Sequence, residues 1–392
     1  MIFQTPSLEP IDRQVLALVA GKRDALRAYS IGDSKRWFGS LRRSTLARAI
    51  QGSNSIEGYH ASVDEAIAAI DNEFPQEGTS ETWLAIKGYR DALTCIMQAA
   101  ADPYFEFSKQ FLKSLHFMML GHEMSKKPGQ WRSGGIFVVD TESGDTVYQA
   151  PDVEDVNDLV EELIQYLMQP TSEDSVVRGA MAHLNLTMIH PFKDGNGRMA
   201  RAIQTLVIAL DGMMNSAFCS IEEWLGANTQ EYYRVLSEVG QGSWNPENSA
   251  LPWVRFCLKA HYQQAATLLR RYEEYEVIFN RVTELVRREK LPDRAGLPLF
   301  DTCLGLKMTN IRYRSETEVT EFVASRDLRR MVEMGLLEPK GQNRGRSYVA
   351  GPELKTIRAA TRTKRHAADP YDIARRTLAR DEPKASPRLP GF

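Results

Sequence analysis

The chemistry of this chain is concentrated in one run, His190-Pro191-Phe192-Lys193-Asp194-Gly195-Asn196-Gly197-Arg198-Met199-Ala200-Arg201. Gly195, Asn196 and Gly197 can turn successive backbone N–H groups inward, because glycine accepts dihedrals that other residues avoid. Such a nest, opening into a helix N-terminus, attracts anions through its free amides and through the helix dipole. Arg198 and Arg201 lie one helical turn apart and project toward one place. Guanidinium forks suit phosphate oxygens. Asp194 supplies a hard oxygen beside the nest, the ligand a magnesium ion takes when it also binds phosphates. His190 is the nearby group whose ordinary pKa suits a general base near neutral pH, and Pro191 is expected to hold the backbone there extended. A Gly-x-Gly alone is a common turn, and Asp-Gly-Asn-Gly alone also reads as a left-handed start to a helix. The base, the ligand, the nest and two arginines in one run point to phosphoryl-type chemistry, which needs positioning and charge neutralisation more than covalent help.

Such a loop works only if its ends are fixed. Met181–Ile189 reads as the end of an apolar helix, and Met199–Leu210 as a second helix buried on most faces. The polar loop is thereby gripped between two core helices.

The run is identified as the Fic family signature, His-Pro-Phe-x-Asp/Glu-Gly-Asn-Gly-Arg-x-x-Arg, with no position departing from it. The resemblance implies an all-helical core that transfers AMP from ATP to a hydroxyl of a target protein. It implies His190 as the base and Asp194 as the ligand of Mg²⁺ bridging the α- and β-phosphates. Gly195, Asn196 and Gly197 become the anion hole, with Arg198 on the β-phosphate and Arg201 on the γ-phosphate. Phe192 anchors the loop in the core. Upstream, Ser53-x-x-x-Glu57-Gly58 is by itself a helix end: a serine and a glutamate one turn apart, then a glycine stop. Beside the signature it resembles the Fic inhibitory motif, Ser/Thr-x-x-x-Glu-Gly/Asn, placed before the core. In that family the glutamate pairs with the second signature arginine, so Glu57 would meet Arg201 at the γ-phosphate position while Ser53 orients the same site.

Ile136–Val139 and Thr146–Pro151 are β-prone around a turn at Asp140–Gly144, which reads as a short hairpin. The resemblance makes residues 136–150 the flap, on which a protein target docks as an added strand, with Val147 and Tyr148 lining its groove. Asn228–Leu236 resembles the segment that closes over the nucleotide. Asn228 and Tyr232 or Tyr233 are its candidates for adenine or ribose contact, although helix aromatics serve cores equally well. His116, on the amphipathic helix Ser108–Leu120, reads as a packed or polar-face histidine, and Ser62 as a helix cap.

The chain divides into a helical region with the inhibitory motif (1–105), the catalytic core (106–275), a winged-helix-like domain (276–350) and a flexible basic tail (351–392). The core is expected to close with a helix over Trp253–Tyr275, and the next module to begin with a separate helix over Val277–Lys290. In the third unit, Val319–Ser325 and Arg326–Gly335 read as two helices before a two-stranded wing over Leu336–Val349. The tail carries one short helix near Asp372–Arg380. Arg326, Arg329, Arg330, Arg344 and Arg346 would give the wing a DNA contact within residues 319–349. The alternative is packing on a second subunit, as in a homodimer, or binding of the target. The fold class expected is mainly α, a Fic helical core with a short hairpin plus a C-terminal winged helix.

Lys and Arg number 49 and Asp and Glu 51, a net charge of -2 that predicts no general affinity for nucleic acid or membrane. Cys95, Cys219, Cys257 and Cys303 are scattered without metal spacing and read as reduced thiols of a cytoplasmic protein. No signal peptide and no membrane span are expected. The reading reached is an autoinhibited Fic protein adenylyltransferase using ATP and Mg²⁺, itself among its targets. Two alternatives stand beside it: a DNA-binding regulator with a nucleotide-sensing core, and removal of AMP from a modified protein with Glu57 positioning water.

Overall fold

The computed structural model describes residues 1–31, 35–73, 80–139, 146–212, 216–342, 346–362 and 367–381. The helices α1 (Pro10–Ile31), α2 (Phe38–Ile56), α3 (Val63–Ile70), α4 (Glu81–Ala101) and α5 (Lys109–Leu120) come first. Serines start three of them. Ser62 forms a capping box with Glu65, and the hydroxyls of Ser80 and Ser108 accept the amides of Trp83 and Phe111. A hairpin follows, with β1 (Phe137–Val139) antiparallel to β2 (Thr146–Gln149). Its expected turn, Asp140–Gly144, lies outside the described residues.

Next come α6 (Val156–Met168), α7 (Ser175–Ile189), α8 (Asn196–Ala209), α9 (Glu222–Ala227) and α10 (Thr229–Gly240). α7 and α8 are the buried centre. Every residue of α8 except Gly197 is buried, and Gly179 of α7 lets α8 approach until only Ile208 and the Gln204 carbonyl fill the space a side chain would need. A two-residue strand, β3 (Gly242–Ser243), pairs parallel with β2, so β2 is central in the small sheet and β1 and β3 are its edges. So short a strand leaves no periodic trace in sequence.

The boundary expected after residue 275 falls inside one helix. α11 (Leu251–Arg288) runs 38 residues without a break. No glycine or proline interrupts it after Pro252, and Leu268, Tyr272, Tyr275, Ile278, Val282 and Leu285 continue a single buried stripe. Beyond it lie α12 (Gly296–Cys303), β4 (Met308–Thr309), α13 (Asn310–Thr317), α14 (Glu321–Glu333), β5 (Leu337–Lys340) and β6 (Ser347–Ala350). The strands form an antiparallel sheet in the order β4-β6-β5. This is the element order of a winged helix, but its two central helices are α13 and α14. The stretch read as two helices, Val319–Gly335, is α14 alone, capped by Thr320 and closed at Gly335 (φ 71°). α13 escapes a hydrophobicity reading because it carries only Ile311 and Tyr313 as apolar residues.

Of the arginines assigned to a nucleic-acid face, Arg326 is exposed beside Asp327, and Arg329 and Arg346 are exposed. Arg330 donates to the Glu289 and Lys290 carbonyls and so closes the end of α11. Arg344 lies outside the described residues. The expected flexible tail holds two helices, α15 (Pro352–Thr361) and α16 (Pro370–Asp381). Ala374 is fully buried, the Tyr371 hydroxyl donates to Asp12 at 3.3 Å, and Gln263 of α11 donates to the Ala367 and Ala368 carbonyls. Apolar residues at one-turn spacing, Tyr371 and Ala374, suffice to fasten α16 across α1. Residues 382–392 lie outside the described ones.

The unit formed by α12–α14 and the β4-β6-β5 sheet is bolted to α2. Arg43 of α2 pairs with Asp301, Glu316 and Asp71, and Arg312 reaches Asp301 at 2.6 Å and Glu316 at 2.9 Å. Trp37 and Leu41 share a core with Tyr275, Phe300 and Leu328. Truncation after Tyr275 is therefore expected to abolish cooperative folding. It strips Phe300 and Leu328 from the core they share with Trp37 and Leu41 of the α2 end, and removes Asp301 and Glu316 from Arg43. Thermal melting decides this: a sharp transition near that of the full chain would show that the units fold independently.

Candidate active site

α7 ends at His190, whose backbone is left-handed (φ 51°, ψ 57°) rather than extended as expected before a proline. The turn swings the chain from α7 into the loop. Phe192 is fully buried, stacked on the His116 ring at 3.7 Å between centroids and 4.8 Å from the Trp131 ring. Asn196 braces the loop from inside. Its Oδ1 accepts the Phe192 N–H and its Nδ2 donates to the Phe192 carbonyl, both at 2.9 Å. The Asn196 side chain is thus committed to the loop, and only its backbone amide faces an anion. Gly195 starts α8 at φ 76°, which a side chain would strain. The amides of Asn196, Gly197 and Arg198 that follow have no partners within the helix.

The His190 Nδ1 lies 3.1 Å from the Thr187 carbonyl. A carbonyl only accepts, so Nδ1 carries the proton and Nε2 keeps its lone pair. Burial lowers the imidazole pKa below its ordinary value, and Arg132 adds to this against the Thr187 carbonyl, Glu57 and Asp194. The ring is neutral at neutral pH, as a base requires. Asp194 accepts the Gly195 amide at 2.6 Å and pairs with Lys126 at 3.0 Å. Burial alone would raise its pKa, but Lys126 and the Gly195 amide outweigh that and hold it below the usual carboxylate range.

Arg198 and Arg201 are each 1% exposed. Arg198 lies under the Tyr59 ring, 5.3 Å from its centroid, with Nε and Nη1 buried and without a hydrogen-bond partner. Arg201 donates through Nε to the Ser53 hydroxyl (2.7 Å) and through Nη2 to the Ser53 carbonyl (3.1 Å) and to Glu57 Oε1 (2.6 Å). Its Nη1 is buried without a partner. Burial opposes the Arg201 charge, and Glu57 more than restores it. The carboxylate rests on the nest itself, since a Cβ on Gly197 would stand 2.5 Å from Glu57 Oε1. Gly58, at φ 84°, ends α2 directly after Glu57 and lets the Tyr59 amide fold back to the Asn54 carbonyl. The inhibitory motif and the signature arginine, 144 residues apart, therefore meet as the resemblance implies.

The nucleotide-closing segment is placed less uniformly. Tyr232 is 1% exposed and shares a hydrogen bond with His183, so it is a core residue and offers no face to a base. Tyr233 is 48% exposed and its hydroxyl donates to the Ile56 carbonyl, next to Glu57. Asn228 sits between α9 and α10 and its amide donates to the Trp224 carbonyl. In the flap, Tyr148 points inward, with its hydroxyl on the Met188 carbonyl at 2.8 Å, while Val147 and Phe137 are exposed. Tyr148 thus supports the flap from below and does not line a groove.

Two supports escape sequence reading. His116 is packed, but it also carries the loop: Nδ1 accepts the Gly129 amide at 2.8 Å and Nε2 donates to the Asp194 carbonyl at 2.9 Å, with burial taking its pKa down to about 4. Arg132 is 4% exposed and donates to the His190 carbonyl at 2.9 Å. Their only sequence signal is a histidine on a buried helix face and an arginine after a Pro-Gly turn.

Residues 106–208 match the Fic/DOC family model. The chain is 23% identical to the protein adenylyltransferase Fic of Nematostella vectensis over 294 residues, 74% of this chain and 64% of that one. It is 25% identical to the protein adenylyltransferase fic-1 of Caenorhabditis elegans over 247 residues, 62% of this chain and 45% of that one. The chain thus spans less than two thirds of the length of these relatives. A Fic family protein from Desulfovibrio desulfuricans G20 superimposes with a TM-score of 0.59 at 19% identity, over 89% of this chain and 99% of that one. Residues 134–508 of Fic-1 from C. elegans give 0.53 at 22% identity, covering 67% and 73%. The architecture is the Fic fold, and the stretch that matches the Fic/DOC family model contains the signature loop that joins α7 to α8. The four cysteines are thiols outside any disulfide, and three of them are buried. Among the described residues no helix is long and apolar enough to cross a membrane.

Proposed function

We propose that the chain is an autoinhibited protein adenylyltransferase that moves AMP from ATP to a hydroxyl of a protein side chain, its own included. The observation that carries this reading is the pair of buried guanidinium groups with unpartnered N–H donors at the start of α8, one of them held by Glu57. Buried donors of this kind are matched by an incoming anion. The base beside them has a free Nε2. His190 accepts the proton of the target hydroxyl, whose oxygen bonds to the α-phosphorus as the bond to the departing diphosphate breaks. Arg198, Arg201 and the α8 amides take up the phosphate charge.

Asp194 fits a magnesium ion that shares its shell with substrate phosphates, because it is a single half-exposed carboxylate that already holds a cation, Lys126. Among the described residues no cluster of three or more His, Cys, Asp or Glu offers an all-protein cage. Such an ion would neutralise phosphate charge and orient the leaving group. The target segment is assigned to β1, the longer of the two edge strands, since both sides of β2 are taken and β3 offers only two residues.

Incubation of the Glu57→Gly chain, in which Arg201 is released, with ATP labelled in the α-phosphate, and separately in the γ-phosphate, tests the reading. Label is expected on protein from the α position only. Label from the γ position would make the chain a kinase, and label from neither, with nucleotide bound, would remove the transferase reading.

A further inference from the structure

His190 is held in a conformation it would not choose. A non-glycine residue at φ 51° and ψ 57° lies in the sparse left-handed region, and such a residue persists only where its surroundings over-determine it. The helix supplies one restraint, the His190 amide on the Leu186 carbonyl. The His190 ring supplies a second, Nδ1–H on the Thr187 carbonyl, and two more come from Arg132. The Arg132 amide donates to the Pro191 carbonyl at 2.9 Å, and Arg132 Nε donates to the His190 carbonyl at 2.9 Å. The remaining two nitrogens go elsewhere. Nη1 donates to the Gly134 carbonyl at 2.9 Å, just before β1, and Nη2 donates to the Pro151 carbonyl, just after β2. Each side-chain nitrogen of a nearly fully buried guanidinium thus answers a carbonyl, on three separate segments. Those segments are the base and the two roots of the hairpin, which also pair with each other through the Ala150 amide and the Ile136 carbonyl.

We propose that Arg132 is the positioning residue of the transfer reaction, locking the left-handed His190–Pro191 backbone to both ends of the β1–β2 hairpin so that the base and the strand that receives the target share one rigid frame. The inference rests on the adenylyl-transfer reading above. The signature loop downstream of Pro191 has its own supports, in His116 and Asn196, so nucleotide binding does not depend on Arg132. The imidazole does. Its Nδ1–H reaches the Thr187 carbonyl from this backbone conformation, and that bond is what leaves the lone pair on Nε2.

The test uses the full chain carrying Glu57→Gly, with Arg132→Met and Arg132→Lys added singly. Transfer is read as AMP adducts by intact mass, nucleotide affinity with a fluorescent ATP analogue, and the His190 tautomer by ¹⁵N chemical shifts assigned against His190→Ala. In Arg132→Met the transfer rate is expected to fall about 100-fold, the loss that a displacement of about 1 Å produces. Affinity for the analogue should stay within about 3-fold of the parent, and His190 should lose its fixed Nδ1–H form. Arg132→Lys should recover at most about a tenth of the parental rate, because one ammonium cannot serve three diverging carbonyls. If the methionine variant fails to melt cooperatively, the lysine variant carries the same three readouts. Transfer within about 3-fold of the parent, nucleotide affinity lost in step with transfer, or an unchanged His190 tautomer would each overturn the assignment. If the Glu57→Gly parent forms no adduct at all, the transfer reading falls instead, and the tautomer still decides whether Arg132 sets the His190 backbone.

Discussion

Glu57→Gly is expected to raise AMP transfer about 10–100-fold over the wild-type chain at limiting ATP. Glu57 Oε1 lies 2.6 Å from Arg201 Nη2 and against the Cα of Gly197, so its carboxylate occupies the position an incoming terminal phosphate needs. One anion excludes the other. A hydrogen bond to a charged group contributes about 1.5–3 kcal/mol, and each 1.4 kcal/mol is a factor of about ten. The guanidinium does not collapse when the glutamate goes, because Ser53 still binds Nε and Nη2 through its hydroxyl and carbonyl. The fold tolerates the change as well. Glu57 is the last residue before the left-handed Gly58, so a glycine there sits outside the helix interior, where it would cost about 1 kcal/mol. Intact-mass kinetics with both proteins settle it. Equal labelling would leave transfer standing and strip Glu57 of its inhibitory role, while Glu57→Gln, which keeps the shape without the charge, should fall between the two.

How much of this was open to a reader of the sequence depends on the spacing of the groups. The signature is legible because base, metal ligand, nest and arginines are consecutive, and their chemistry is that of a helix N-terminus. Glu57 becomes legible only once Arg201 has been assigned. Arg132 and His116 act across 58 and 78 residues through backbone carbonyls. A carbonyl has no residue type, so such contacts leave no pattern to find. Two other differences were open to a closer reading. Tyr232 shares a helical stripe with Val235, Leu236 and Val239, all buried, which separates it from the exposed Tyr233. Tyr148 alternates with Val147 along β2, so one of the two had to face the core. The long helix α11 spans two units because its apolar stripe never breaks, so the separate helix expected from Val277 is its continuation. The arginines assigned to a nucleic-acid face illustrate the reverse: Arg330 of α14 carries the charge such a contact needs, but it caps α11 instead.

His190→Ala, placed in the Glu57→Gly chain, is expected to lower transfer about 10²–10⁴-fold, the range that a positioned general base contributes. Affinity for ATP should be largely retained, since Arg198, Arg201 and the α8 amides that meet phosphate are untouched. The pH dependence gives the more specific check. The base works only as neutral imidazole, and burial favours that form, so the acidic limb of kcat should have its midpoint below the ordinary imidazole value of about 6.5. Transfer therefore persists as the pH falls through the range where an exposed histidine would protonate, and is lost only below it. In His190→Ala that limb should vanish, leaving a low and nearly flat profile. A variant that keeps both the parental rate and the parental limb would assign the proton transfer to another group. A midpoint above 6.5 would mean that Asp194 or bound phosphate outweighs burial at Nε2, because nearby negative charge stabilises the imidazolium and raises the pH needed to empty it.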